Sequence, residues 1–170
     1  MEKKQALILA LGGLFTYLVY KLGRDTNKIK AQDFIKLSKD KKFPVPIKVK
    51  TYVSSPYGWR KNPITGARQL HNGIDLPAPT GTPIYSPLSG TVLKNFTNSL
   101  GGNQITIESG DVILGYAHLN KKSPLTEGSI VKQNDVIGEV GTTGYSTGAH
   151  LHFTVRINGN FVNPSDYFTV

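Results

Sequence analysis

The stretch GTVLKNFTNSLGGNQITIESGDVILGYAHL, residues 90–119, decides the fold class. It holds three runs, Gly90–Phe96, Gln104–Glu108 and Val112–His118, carrying Val, Ile, Thr, Phe and Tyr. Branched and aromatic side chains favour extended backbone because they pack well on a pleated surface. Gly101-Gly102-Asn103 and Ser109-Gly110-Asp111 separate the runs, and these residue types tolerate tight-turn dihedrals. The pattern continues on both sides. Pro79-Thr80-Gly81 and Thr82–Ser86 come before; Ser129–Lys132, Val136–Val140 and His150–Ile157 come after, with Asn158-Gly159 as a two-residue hairpin signal. Short, closely spaced strands without a convincing long helix predict an all-β barrel or sandwich.

Working toward the N-terminus, Ile47, Val49, Thr51 and Val53 alternate with Lys48, Lys50 and Tyr52, which predicts one more half-buried strand. Before it, Phe43-Pro44-Val45-Pro46 favours an extended connector, so the β domain is assigned to residues 47–170. Residues 25–46 form a basic segment. Within it Ile29, Phe34, Ile35 and Leu37 predict an apolar stripe on a short helix opened by Asp25 or Thr26.

Between Lys4 and Lys21 lie 16 uncharged, mostly apolar residues, Gln5 to Tyr20. As a helix they reach about 24 Å, short of a roughly 30 Å hydrocarbon core, but the flanking lysines can extend outward. Tyr17 and Tyr20 suit an interface. A cleaved signal peptide is the rival, yet Tyr20-Lys21-Leu22-Gly23-Arg24 lacks a small-x-small cleavage site. Residues 1–24 are therefore expected to form a transmembrane anchor helix. The lysines after the run would, by the positive-inside tendency, put the β domain in the cytoplasm, so topology stays open.

Charge supports the same division. Residues 1–50 hold 12 Lys/Arg and 4 Asp/Glu, whereas residues 51–170 hold 8 and 7. A nucleic-acid protein would carry its basic groove on the folded domain, so no nucleic-acid partner is expected. Charge concentrated beside an apolar run instead suits anionic lipid or wall polymer. The absence of Cys excludes thiolate metal ligands, disulfides and a thiol nucleophile.

All four histidines lie in compact motifs: His71-Asn72-Gly73-Ile74-Asp75, Gly115-Tyr116-Ala117-His118-Leu119 and His150-Leu151-His152. On a strand, His150 and His152 share a face. The four-residue spacing of His71 and Asp75 would align on a helix, but Gly73, Pro77 and Pro79 favour strand, turn and strand. Imidazoles plus a carboxylate supply the three protein ligands of a catalytic zinc. Two His and one carboxylate also describe non-haem iron oxygenases, but those need no further imidazoles. Here two imidazoles remain for proton transfer, which favours hydrolysis.

These motifs, with Ser55-Pro56-Tyr57-Gly58-Trp59-Arg60, Asn62-Pro63-Ile64-Thr65-Gly66, Pro79-Thr80-Gly81-Thr82-Pro83-Ile84-Tyr85, Gly141-Thr142-Thr143-Gly144 and Ser146-Thr147-Gly148-Ala149 before His150, resemble the lysostaphin-type peptidoglycan metallo-endopeptidases. The resemblance covers roughly residues 50–168, with the motifs in family order. It implies a duplicated-hybrid-motif, barrel-sandwich-like β domain and one zinc per chain held by His71, Asp75 and His152. It implies that His118 and His150 are the non-ligand catalytic histidines. Tyr57, Arg60 and Asn72 are candidate cleft residues; alternatively Tyr57 and Trp59 are core or rim aromatics and Arg60 a surface ion-pair partner.

The implied function is zinc-dependent hydrolysis of peptide bonds in peptidoglycan cross-bridges or stems, by a membrane-anchored envelope enzyme or a phage virion or lysis protein. Gly-Gly bridges and D-Ala–diaminopimelate links both remain open. A catalytically silent wall-binding or hydrolase-activating module is the alternative, which a complete ligand and histidine set disfavours. A phosphotransfer or biotinyl-type carrier barrel leaves Asp75 and three of the histidines unexplained.

Overall fold

The computed structural model describes residues 29–62 and 64–170. The expected anchor helix lies outside these residues; among the described residues, no helix is long and apolar enough to cross a membrane. The described chain opens with helix α1 (Ala31–Asp40) and β1 (Phe43–Pro44). It continues through β2 (Gly58–Lys61), β3 (Arg68–His71), β4 (Ile74–Pro77), β5 (Pro83–Tyr85), β6 (Gly90–Asn98), β7 (Gly102–Ser109) and β8 (Val112–Leu119). It closes with β9 (Ile130–Val131), β10 (Val136–Glu139), β11 (His150–Ile157), β12 (Asn160–Val162), a 3₁₀ turn and β13 (Phe168–Thr169). The mostly all-β expectation holds.

The main sheet runs β12-β11-β8-β7-β6-β9, all antiparallel. Strand β11 is its organiser. Its C-terminal half pairs with β12, while its N-terminal half, His150 to Phe153, pairs with β4 on that same edge. Asn158 and Gly159 connect β11 to β12 at φ of 50° and 81°, the positive values that a two-residue turn requires. Alternation along β11 buries Leu151, Phe153, Val155 and Ile157 and turns His150 and His152 to the opposite face. Val112, Leu114 and Tyr116 of β8 meet them in the core, with Ile84, Ile105, Ile107 and Ile137. Each fully buried aliphatic or aromatic side chain contributes roughly 1.5–3 kcal/mol.

Two expectations need correction. The alternating segment 47–53 is not a strand: Ile47 is buried but Val49 is exposed, and pairing with β4 reduces to one bridge, Ser55 with Asp75. Pro77 has no N–H to continue a ladder, and the Thr51 hydroxyl donates to its carbonyl instead, at 2.7 Å. The short helix exists but begins beyond Asp25 and Thr26, with Lys30 as N-cap and no cap from its own side chain. The carboxylate of Asp111, in the β7–β8 turn, accepts from Ala31 N at 3.0 Å and serves that end.

The expected apolar stripe holds at Ile29, Phe34 and Ile35, which pack against the core, and fails at Leu37. Ala31, Phe34 and Ser38 face inward while Leu37 is exposed. Phe34 is fully buried and stacks on Phe43 (5.3 Å between ring centroids) and Tyr167 (5.2 Å). Strand β1 pairs in parallel with β13, so this end of the chain is joined to the C-terminal end.

Candidate active site

His71 ends β3, Asp75 lies in β4, and the turn Asn72-Gly73 brings both back to one point. Asp75 is directly across from His152 in the β4–β11 ladder. The turn presses against β11: a Cβ on Gly73 would lie 2.4 Å from the Phe153 carbonyl oxygen. Glycine is therefore required between the two candidate ligands.

The donor atoms converge. His152 Nδ1 lies 2.8 Å from Asp75 Oδ1, His71 Nε2 lies 3.1 Å from the same oxygen, and the two nitrogens are 3.0 Å apart. Each ring is oriented by its other nitrogen. His71 Nδ1 donates to the Pro56 carbonyl at 2.8 Å, and His152 Nε2 donates to Asn72 Oδ1 at 3.1 Å. Those bonds assign the tautomers, so both inward nitrogens carry lone pairs. Three lone pairs meeting at such distances repel one another unless a cation sits among them. Burial pushes the His152 imidazole below its ordinary pKa, favouring the neutral form a metal needs. Burial raises Asp75, but wherever His152 or His71 carries a proton on its inward nitrogen, bonds and charge from those rings outweigh burial and hold the carboxyl well below the usual range.

His118 and His150 stand beside this trio. Their ring centroids are 4.7 Å apart, and His150 Nε2 lies 3.7 Å from Asp75 Oδ1. Both are held the same way: His118 Nδ1 donates to the Thr143 carbonyl and His150 Nδ1 to the Gly148 carbonyl, each at 2.8 Å. Both Nε2 atoms are thereby left free to accept a proton.

His118 reaches this face through a distortion. Simple alternation along β8 would put it inward with Val112, Leu114 and Tyr116. Between Asn103–Leu119 and Ile105–Tyr116 the β7–β8 register shifts, and His118 takes φ of 62°. Such a bulge re-aims one side chain. It turns His118 outward and leaves Leu119 in the core. Burial holds the His118 pKa below its ordinary value, only partly offset by the bond to Thr143.

An open cleft of about 730 Å³ contains all four histidines and Asp75. Arg60 and Asn72 line it; Tyr57 does not, and its hydroxyl donates to the Phe161 carbonyl at 3.3 Å. Asn72 supports a ligand through its bond to His152. The sequence reading missed Ile64, Leu100, Gln104 and Tyr145 as wall residues. Exposed Leu100 and Tyr145 sit on loops that meet only in the fold, where Tyr145 N donates to the Leu100 carbonyl.

Two imidazoles and a carboxylate poised for a cation, beside two oriented imidazoles in an open cleft, define the class as a metal-dependent hydrolase. Residues 69–164 match the Peptidase family M23 model, more than half of the chain, and the chain belongs to that family. It is 44% identical over 117 residues to the DD-carboxypeptidase/endopeptidase Mpg of Neisseria meningitidis, spanning 68% of this chain and 27% of that protein. A zinc-containing peptidase from Vibrio cholerae superposes with a TM-score of 0.67 at 33% identity, over 73% of this chain and 39% of that one. The catalytic domain of lysostaphin from Staphylococcus simulans gives 0.58 at 34% identity, over 68% and 86%. The chain thus spans about a quarter of the length of the curated relatives it matches. Zinc is the cofactor that the family, the zinc-containing relative and the donor chemistry agree on.

Proposed function

We propose that this chain is a zinc endopeptidase that hydrolyses peptide bonds in the cross-bridges or stems of peptidoglycan. The observation that carries it is the convergence of three oriented lone pairs next to two proton-accepting imidazoles. His71, Asp75 and His152 would hold the ion, which when bound polarises the scissile carbonyl and acidifies a water.

His118, kept neutral by burial, accepts the proton that water loses as its oxygen adds to the carbonyl carbon. The C–N bond then breaks, and the imidazolium returns that proton to the leaving nitrogen. His150 faces the same space and donates to the developing oxyanion when protonated. The Thr143 and Gly148 carbonyls fix both rings, so neither must search for its orientation.

This reading includes a membrane anchor at residues 1–24, holding the domain in a cell envelope or a virion membrane. The Lys-bounded apolar run and the missing cleavage signal support it.

The test is to incubate zinc-loaded full chain with sacculi of different cross-bridge chemistry and analyse the fragments by mass spectrometry. New amine and carboxyl ends at one peptide linkage are expected. No fragments from any wall, with zinc bound, would replace hydrolysis with a binding role.

A further inference from the structure

Arg60 is the cleft residue whose charge lacks a full partner. One guanidinium nitrogen lies 3.6 Å from Asp75 Oδ2, beyond hydrogen-bond length, and Nε is buried with no partner. A guanidinium carries five N–H donors in a planar fork, so most of its bonding capacity is unused. Asp75 cannot supply the rest, because its other oxygen is shared by His71 and His152. Among the described residues lining the cleft, Arg60 is the sole permanent cation and Asp75 the sole acid. A divalent ion at the histidines would exceed the charge of Asp75 and leave the cleft positive. A neutral substrate would then cover a half-buried guanidinium without pairing it, which is costly. A carboxylate matches the fork with two parallel bonds.

We propose that Arg60 sets specificity by binding a substrate carboxylate on the carbon next to the scissile nitrogen. This rests on the endopeptidase reading above. Arg60 approaches Asp75 at Oδ2 while the histidines gather at Oδ1, so the guanidinium lies within about one residue of the reacting atoms. An α-carboxylate on the leaving residue is separated from the scissile nitrogen by a single carbon. The preferred leaving group is therefore an amino acid with a free α-carboxylate, either a chain end or the second centre of a diamino acid. A glycine inside a bridge presents an amide at that position and leaves Arg60 unpaired.

Two synthetic peptides identical except for that group, free acid or carboxamide, test the assignment. Zinc-loaded full chain is compared with Arg60→Gln and Arg60→Lys for kcat and KM on each, with zinc content measured alongside. The unmodified chain should favour the acid by roughly 10–100-fold in kcat/KM, the scale of hydrogen bonds to a charged group. Arg60→Gln should collapse that ratio toward one through KM for the acid, and Arg60→Lys should restore part of it. Equal treatment of both peptides by the unmodified chain would overturn the proposal. Equal loss of kcat on both peptides, or loss of zinc, in Arg60→Gln would also overturn it, because Arg60 would then serve Asp75. If neither peptide is cleaved, calorimetric Kd values decide. An acid preference that disappears in Arg60→Gln supports the proposal, equal binding overturns it, and the missing cleavage counts against hydrolysis alone.

Discussion

Five side chains in the cleft should divide into two behaviours when truncated. His71→Ala, Asp75→Ala and His152→Ala each remove one of the three donors that converge within 3.1 Å, so bound zinc should fall together with turnover. His118→Ala and His150→Ala leave those donors intact. Zinc should remain while turnover falls by about 10² or more, the usual contribution of a positioned acid–base group. Metal analysis beside a rate assay separates the groups; zinc lost from His150→Ala but kept in His152→Ala would exchange their roles. Asn72 adds a subtler case. Its side-chain oxygen holds His152 in the tautomer that points a lone pair inward. Asn72→Ala should weaken zinc by about 10–100-fold in chelator competition, the usual cost of losing a group that orients a ligand. The pH profile follows from His118, whose pKa burial has lowered, so the neutral base persists below its ordinary range. The acid limb of kcat/KM should therefore fall below pH 6.5, and a limb above that value would assign the base elsewhere.

At the scale of elements, the join between α1, β1 and β13 belongs to the folded domain even though its sequence is basic and proline-broken. Phe34 is fully enclosed by Phe43, Tyr167 and Phe168. Phe34→Ala should lower the unfolding free energy by about 3–5 kcal/mol in urea denaturation. A loss below 1 kcal/mol would mean the helix is peripheral. This feature was hard to read because the helix is pinned at its start by Asp111, 80 residues along the chain. Local capping rules have no access to such a partner. The long strands of the main sheet, unlike segment 47–53, were legible: β11 carries its pattern in eight consecutive residues, and its predicted bounds match the observed ones. The His71–Asp75 turn was readable for the same reason, since glycine and the prolines exclude a helix locally. His118 was legible as a motif but not in its direction. Period two assigns it to the core, and only the register shift against β7 turns it outward. The wall residues Leu100 and Tyr145 escaped because nothing within either loop indicates the other.

Across the whole molecule, the candidate ligands come from β3, β4 and β11, and the β4–β11 ladder already holds two of them in register. Zinc should stabilise this arrangement by RT ln(1 + [Zn]/Kd), about 4 kcal/mol at a thousandfold excess over Kd. Calorimetry with and without chelator should show a higher Tm with metal; an unchanged Tm on complete removal would mean the site is rigid without it. Without metal, stability should also depend on pH. His118 and His152 have folded pKa values below the ordinary 6.5, so the unfolded chain binds more protons as pH falls through that value. The urea midpoint of the apo protein should therefore drop between pH 7.5 and 5.5. For the full chain in cells, the anchor reading expects resistance to alkaline extraction, whereas a mature form beginning near residue 24 would identify a cleaved signal.

The parallel pairing of β1 with β13 has a mechanical consequence. Tension entering the domain from the N-terminal side meets α1 and β1 before any strand that carries a histidine. Phe43 N bonds to the Tyr167 carbonyl and Val45 N to the Thr169 carbonyl, so that load passes directly to the C-terminal end of the chain. The β1–β13 clasp itself contains none of the strands β3, β4, β8 and β11, although Asp111 links the start of α1 to the β7–β8 turn. On the anchor reading, pulling on the N-terminal segment should strip α1 and β1 from the domain first, with the candidate site disturbed only after that clasp gives way.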